Sequence, residues 1–159
     1  MTVEVDETDW LRVPVFGSIT GRFPAKVRPS AYAIISDGSG RVATVRTPLG
    51  YFLIGGGQDA GEPPSTAVVR EADEECALIV RVGSWRAVAV EHACSISEQL
   101  EFEKRCTFCD ALVVGRTDHD PERDHELVWL QNGAALEQLA SPSHRWALGQ
   151  WIAEGSSAR

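Results

Sequence analysis

Apolar and polar positions show little pattern over residues 1–12 and fall into order from Ser30 onward. Residues 31–36 are an apolar run, Asp37-Gly38-Ser39-Gly40 is a cluster of turn formers, and residues 41–46 alternate, which predicts a β-hairpin. A Pro48/Gly50 turn leads into a short buried strand over residues 51–54 that ends in Gly55-Gly56-Gly57. Pro63-Pro64-Ser65 then opens a helix predicted over about residues 65–77. Val68, Val69, Ala72 and Cys76 fall on one stripe of it, expected to face the core. Residues 78–82, 85–90 and 106–114 read as strands, with 95–104 as the far end of a hairpin. Residues 118–124 are a charged loop and 127–130 a last short strand. A short helix is predicted over residues 134–140. A second one has Ser141 as N-cap and Pro142 in its first turn, and runs through Trp151 to stop at Gly155. Trp146, Ala147, Trp151 and Ile152 form its inner side. The sum is an α+β fold: an α/β/α sandwich with helices flanking a central mixed β-sheet.

Length and composition narrow the class. At 159 residues the chain reads as a single domain, 1–159, with 1–12 as a loosely ordered arm. No apolar run approaches the roughly 18 residues of a spanning helix, so no membrane partner is expected. The start, MTVEVDETDW, is acidic and lacks the basic and apolar regions of a signal peptide, which sets a cytoplasmic address as the default. A net charge of -8 argues against a nucleic-acid polymer as partner, since such proteins carry a basic face. A small polyphosphate is still compatible if metal ions stand between its oxygens and the carboxylates. The four cysteines, Cys76, Cys94, Cys106 and Cys109, are expected to be thiols. A zinc or redox site built from Cys106 and Cys109 with His92 and Cys94 is disfavoured. Positions three apart on a strand face opposite ways.

The acidic residues are not evenly spread. Glu71, Glu74 and Glu75 stand at i, i+3 and i+4 of the predicted helix, within roughly 100° of its circumference. That face is offset from the Val68/Ala72/Cys76 stripe, so the carboxylates need not be buried. Like charges this close destabilise a helix unless something offsets them. Hard oxygen donors on one face suit Mg²⁺ or Mn²⁺, and Arg70 could hold Glu62 or Glu74 by a bidentate pair. Taken alone, a Glu-rich helix is equally a solvated surface.

The wider spacing changes that. Gly56, five residues, Glu62, seven residues, Arg70-Glu71, Ala72, one residue and Glu74-Glu75 resemble the Nudix box, G-x5-E-x7-R-E-U-x-E-E-x-G-U, with U aliphatic. Leu78 fills the last aliphatic place, and Ala77 stands where the family has glycine. The resemblance extends to the strands on either side and to a terminal helix containing His144-Arg145-Trp146-Ala147. It implies a Nudix-type sandwich and Mg²⁺-dependent (or Mn²⁺-dependent) hydrolysis of a phosphoanhydride bond. By the same resemblance Glu71, Glu74, Glu75 and the Gly56 carbonyl bind metal, while Arg70 and Glu62 orient them. Glu74, Glu75 or Glu126, the last lying just ahead of the final strand, acts as general base or positions the attacking water. Many relatives pair as dimers, so a homodimer is among the expectations.

Substrate choice rests on absences. No S-Q-P-W-P-type run follows the box, no tyrosine follows Tyr51, and Ala93 stands where ADP-ribose hydrolases carry proline. A nucleoside or deoxynucleoside triphosphate is therefore the first expectation, with ADP-ribose or a nucleotide-sugar behind it. Two other readings are a non-catalytic nucleotide-binding module, which typically lacks box carboxylates, and an isoprenoid diphosphate isomerase. The isomerase would want a cysteine upstream of the box, whereas every cysteine here lies within or after it.

Overall fold

The structure is a computed structural model that describes residues 9–157. Residues 1–8 of the expected N-terminal arm lie outside the described part. Residues Asp9–Leu11 form a single 3-10 turn, and the Arg105 guanidinium stands 5.7 Å from the Trp10 ring. The strands are β1 (Val15–Phe16), β2 (Ala25–Ile35), β3 (Arg41–Thr47), β4 (Gly50–Gly57), β5 (Leu78–Ser95), β6 (Leu100–Arg116) and β7 (Glu126–Gln131). The helices are α1 (Pro64–Cys76), α2 (Asn132–Gln138) and α3 (Pro142–Ser157). Among the described residues the strands form one mixed sheet in the order β1-β5-β6-β2-β4-β3-β7. No helix among them is long and apolar enough to cross a membrane.

The sandwich is as expected, with two cores on opposite faces of the sheet. On one face Val68, Ala72 and Cys76 of α1 pack with Ala31, Ala33, Ile35, Ile54 and Cys109. On the other, Ala147 and Leu148 of α3 and Ala135 of α2 pack with Tyr32, Ile34, Leu53, Cys106 and Phe108. Alternation in the strands dictates this split: odd positions of β2 serve the α1 side and even positions the α3 side. Cys106 and Cys109 consequently face different cores as free thiols, each pushed up to about 12 by burial.

Several local expectations need correction. The strands and turn of the first hairpin exist, but β2 and β3 do not pair along their length. They share one isolated bridge, Ser36 with Val42, and β4 inserts between them, antiparallel to both. Turn chemistry is local, whereas the pairing was decided by β4 and by the parallel ladder from β2 to β6. Residues 78–82 and 85–90 belong to one long β5, with irregular register between Val82 and Trp85. Val69, placed on the inward stripe, is 42% exposed, while Ala67 is fully buried beside Val68. The final helix does not stop at Gly155 but continues to Ser157, because a glycine lowers helix propensity without breaking the hydrogen-bond pattern.

α1 starts with Pro64 in its first turn, where the missing N–H is no loss. It ends at Ala77, whose backbone is left-handed (φ 52°) and whose N–H bonds to the Asp73 carbonyl at 2.9 Å. Here an alanine adopts the conformation that glycine would take with less strain.

Candidate functional site

α1 lies against the Gly55–Gly57 end of β4, and two of those glycines decide how closely. Gly55 has φ +145°, and a Cβ there would meet the Ala31 carbonyl oxygen at 2.1 Å. A Cβ on Gly56 would stand 2.7 Å from Oε1 of Glu71. Without side chains on the strand, the helix's carboxylates reach the backbone itself. The Gly55 N–H donates to Oε1 of Glu75 at 3.0 Å.

That contact buries Glu75, which is 5% exposed. The sequence left its carboxylate free to stay outside the core, but the close approach of α1 to β4 encloses it. Burial pushes its pKa up to about 8, assisted by the charges of Glu71, Glu122 and Glu74 and opposed by the Gly55 N–H. Burial likewise raises Glu71, against the pull of Arg70.

Arg70 is the hub of the box. Its Nε and Nη2 fork onto the two oxygens of Glu62 at 2.8 and 2.9 Å. Of the two partners considered, Glu62 takes the bidentate pair. Nη1 reaches Glu71 at 3.0 Å and Glu74 at 3.1 Å, and Nη2 also donates to the Gly57 carbonyl at 3.1 Å. Arg70 and then the Asp59 backbone N–H hold the Glu62 carboxyl down to about 2. The seven-residue gap from Glu62 to Arg70 thus spans a loop and two helical turns that bring the pair face to face.

A loop distant in sequence closes the other side. The Thr117 N–H donates to the Ala77 carbonyl at 3.0 Å, and the Glu122 N–H to the Glu74 carbonyl at 2.8 Å. His119 Nε2 meets Asp73 at 2.7 Å. His125 stands between acids, 3.7 Å from Glu75 and 3.4 Å from Glu122. Glu122 and His125 were not among the residues singled out from the sequence. Their only signal was a charged loop just ahead of the last strand.

Glu126 begins β7 as expected, and its carboxylate pairs with Arg46, its ladder partner on β3. No contact among the described residues brings it to Glu71, Glu74 or Glu75. Instead it lines a recess of about 330 Å³ together with Arg46, Thr47, Pro48, Asp124 and His125.

Carboxylates with one acid buried (Glu75) and one half-buried (Glu71) are hard oxygen donors of the kind that suits a divalent cation. Among the described residues no three side chains are gathered closely enough to hold a metal ion. Glu71 and Glu74 are both bonded to Arg70 instead. The alternative ligand group does not assemble, because His92 bonds toward the Gly17 carbonyl and Cys106 and Cys109 face opposite cores.

Comparison with known proteins gives a family match. The model of the NUDIX domain matches residues 26–152. A NUDIX hydrolase from Nitrosomonas europaea shares the fold at TM-score 0.66 and 16% identity, over 81% of this chain and 90% of that one. A MutT protein from Methanosarcina mazei Go1 does so at 0.64 and 20%, over 87% and 99%. An ADP-ribose pyrophosphatase from Streptococcus suis follows at 0.54 and 15%, over 76% and 88%. At these identities the structural likeness is one of fold. No curated protein matches the chain.

Proposed function

This chain belongs to the Nudix family, and on that premise we propose that it is a hydrolase cleaving a phosphoanhydride bond in a nucleoside diphosphate linked to a further group. The observation that carries the reading is the enclosure of Glu71 and Glu75 against the glycine bend, an acidic centre whose charge Arg70 alone does not balance. We read residues 1–159 as one Nudix domain, supported by a family match that takes in all but the ends.

Nudix hydrolases generally need a divalent metal. Glu71, Glu74, Glu75 and the Gly56 carbonyl are the residues that would hold Mg²⁺ or Mn²⁺. When bound, the ion supplies positive charge against the phosphoryl oxygens and makes water a better nucleophile. Glu75, fixed by the Gly55 N–H, suits a rigid ligand. Glu74, with its side chain 43% exposed, is the acid best placed to take a proton from the attacking water. Glu126 is engaged with Arg46 and is the weakest of the three general-base candidates. Arg70 and Glu62 are positioning residues, since they act through the other glutamates and the Gly57 carbonyl. The reacting phosphorus undergoes in-line displacement, with a phosphate or nucleotide as leaving group.

A binding module without turnover is disfavoured because every box carboxylate is in place. For the group beyond the diphosphate, the missing motifs put a triphosphate first and ADP-ribose or a nucleotide-sugar second. The relative named as an ADP-ribose pyrophosphatase keeps the second class in view. The test is hydrolysis by the purified protein with Mg²⁺ across nucleoside triphosphates, ADP-ribose, nucleotide-sugars, dinucleoside polyphosphates, NADH and coenzyme A. Glu74→Gln should lower the rate by about 10²- to 10⁴-fold with circular dichroism unchanged. Full activity in that variant would place the chemistry elsewhere.

A further inference from the structure

A recess of about 400 Å³ opens on the α3 face of the sheet, where Ile34 of β2 and Asp110 and Leu112 of β6 meet Trp151 of α3. Ile34 belongs to the α3-side core, and the even positions of β6 face the same way, as Cys106 and Phe108 do. The sheet stands between this recess and the carboxylates of α1. A ligand held here is separate from the reacting group.

The recess originates in a bulge. Val82 pairs with Ala111 and Trp85 with Cys109, so Gly83 and Ser84 of β5 both stand opposite Asp110. The extra residue bends the strand and breaks the ladder at that point. Gly83 keeps the space beside Asp110 open, since a Cβ there would stand 3.4 Å from the Asp110 Cβ.

Asp110 is only half satisfied. Its Oδ2 accepts from Arg86 Nε at 2.6 Å, while Oδ1 is buried without a partner. A buried acceptor of this kind is costly until a donor reaches it. Arg86 is engaged on both sides, by Asp110 and by Glu154 at 3.6 Å. Arg81, on the same lining, makes no hydrogen bond or ion pair among the described residues. Ile34, Val82, Ala111, Leu112 and the Trp151 indole supply apolar walls.

Apolar walls with a few convergent polar groups, in a volume within roughly 300–1,000 Å³, are the make-up of a small-ligand site. Each group selects a part of the ligand. The indole and aliphatic walls suit a flat ring, Oδ1 of Asp110 calls for a donor on that ring, and the uncompensated Arg81 calls for an anion. We propose that this recess is a second ligand site, taking a planar heteroaromatic amine that bears an anionic group, the chemistry of an aminopurine nucleoside monophosphate. The proposal goes beyond the hydrolase reading and does not rest on it.

AMP is the probe, because it has no phosphoanhydride bond to be cut. Calorimetric titration of the whole protein in the presence of chelator excludes metal-bridged binding at the box. AMP should bind with a Kd below about 1 mM. Purine riboside monophosphate, which lacks the amino group, and adenosine, which lacks the phosphate, should each bind at least about tenfold more weakly. Arg81→Ala, at an exposed position, should weaken AMP about tenfold and leave adenosine unchanged. No binding of AMP at about 1 mM, either analogue binding as tightly as AMP, or AMP binding that Arg81→Ala does not weaken overturns the proposal. None of these outcomes bears on the hydrolase reading, which the substrate panel tests separately.

Discussion

Strand β4 gives two backbone N–H groups to side chains from helices on opposite faces of the sheet. Leu53 donates to Nδ1 of His144 on α3 at 3.1 Å, and Gly55 donates to Glu75 on α1 at 3.0 Å. Both acceptors are ionisable and both are buried. The His144 ring packs with Tyr32 at 4.2 Å and with Phe52 and Phe108. Burial first, and then the nearby Lys104 charge, hold its pKa well below the ordinary value. It is therefore neutral and acts as a pin. Glu75 is surrounded by other acids, and burial with that crowding lifts it to about 8. One position holds a neutral ring whose Nε2 is buried without a partner, and the other an acid that keeps its proton to about pH 8 unless a cation takes its place. Where a fold spends stability on an unbalanced acid, function is the expected reason.

The comparison breaks most visibly in Glu75→Gln. Activity should fall at least about 100-fold, as loss of a metal-site group commonly does. The metal-free variant should nevertheless be more stable than the parent near pH 8. A carboxyl raised from 4.5 to about 8 in the native state binds its proton more tightly there than in the unfolded chain. Its contribution is fully present below about pH 4.5 and is lost as pH climbs through 8. Thermal melts with chelator should thus show the parent losing a few kcal/mol, in order of magnitude, across that window. The glutamine variant should not. Parallel melting curves for the two proteins would contradict the assignment. His144→Ala should do the reverse. Leaving the Leu53 N–H unpaired beside a cavity should cost roughly 3 kcal/mol above about pH 6.5 and less in acid, where the parent alone loses stability by keeping the ring neutral, with kcat per folded molecule nearly unchanged. The smallest effect belongs to the end of α1: Ala77→Gly should add about 0.5–1 kcal/mol by relieving the left-handed alanine, read as a small rise in Tm without a change in KM. A fall would mean that the Ala77 methyl, 8% exposed, packs more usefully than its strain suggests.

What could be read in advance was what the chain specifies locally. The spacing from Gly56 through Glu75 set the carboxylates on one helix and predicted a bidentate partner for Arg70, because those relations span only a few turns. The α3 start at Ser141-Pro142 was legible for the same reason. The burial of Glu75 was not, since it depends on how closely α1 meets a strand whose glycines are read as a bend rather than as absent side chains. Glu126 was placed at the head of a strand, but its partner Arg46 lies across a ladder that no local pattern reveals. His125 and Glu122 escaped notice because their neighbours on α1 are tens of positions away. His144 was quoted only as part of a helix, with nothing in its surroundings to suggest a ring locked onto Leu53.

The parallel pairing of β2 with β6, running from Ala25 beside Glu101 to Ile35 beside Ala111, sets a timetable for assembly. During synthesis the glycine bend and the acidic helix emerge early, yet the strand that borders the bend gains its second neighbour only when β6 has left the ribosome. Loop closure of that length is slow. A chain in which β6 has yet to dock carries a half-framed sheet edge, so refolding yield should fall with protein concentration before equilibrium stability is at issue.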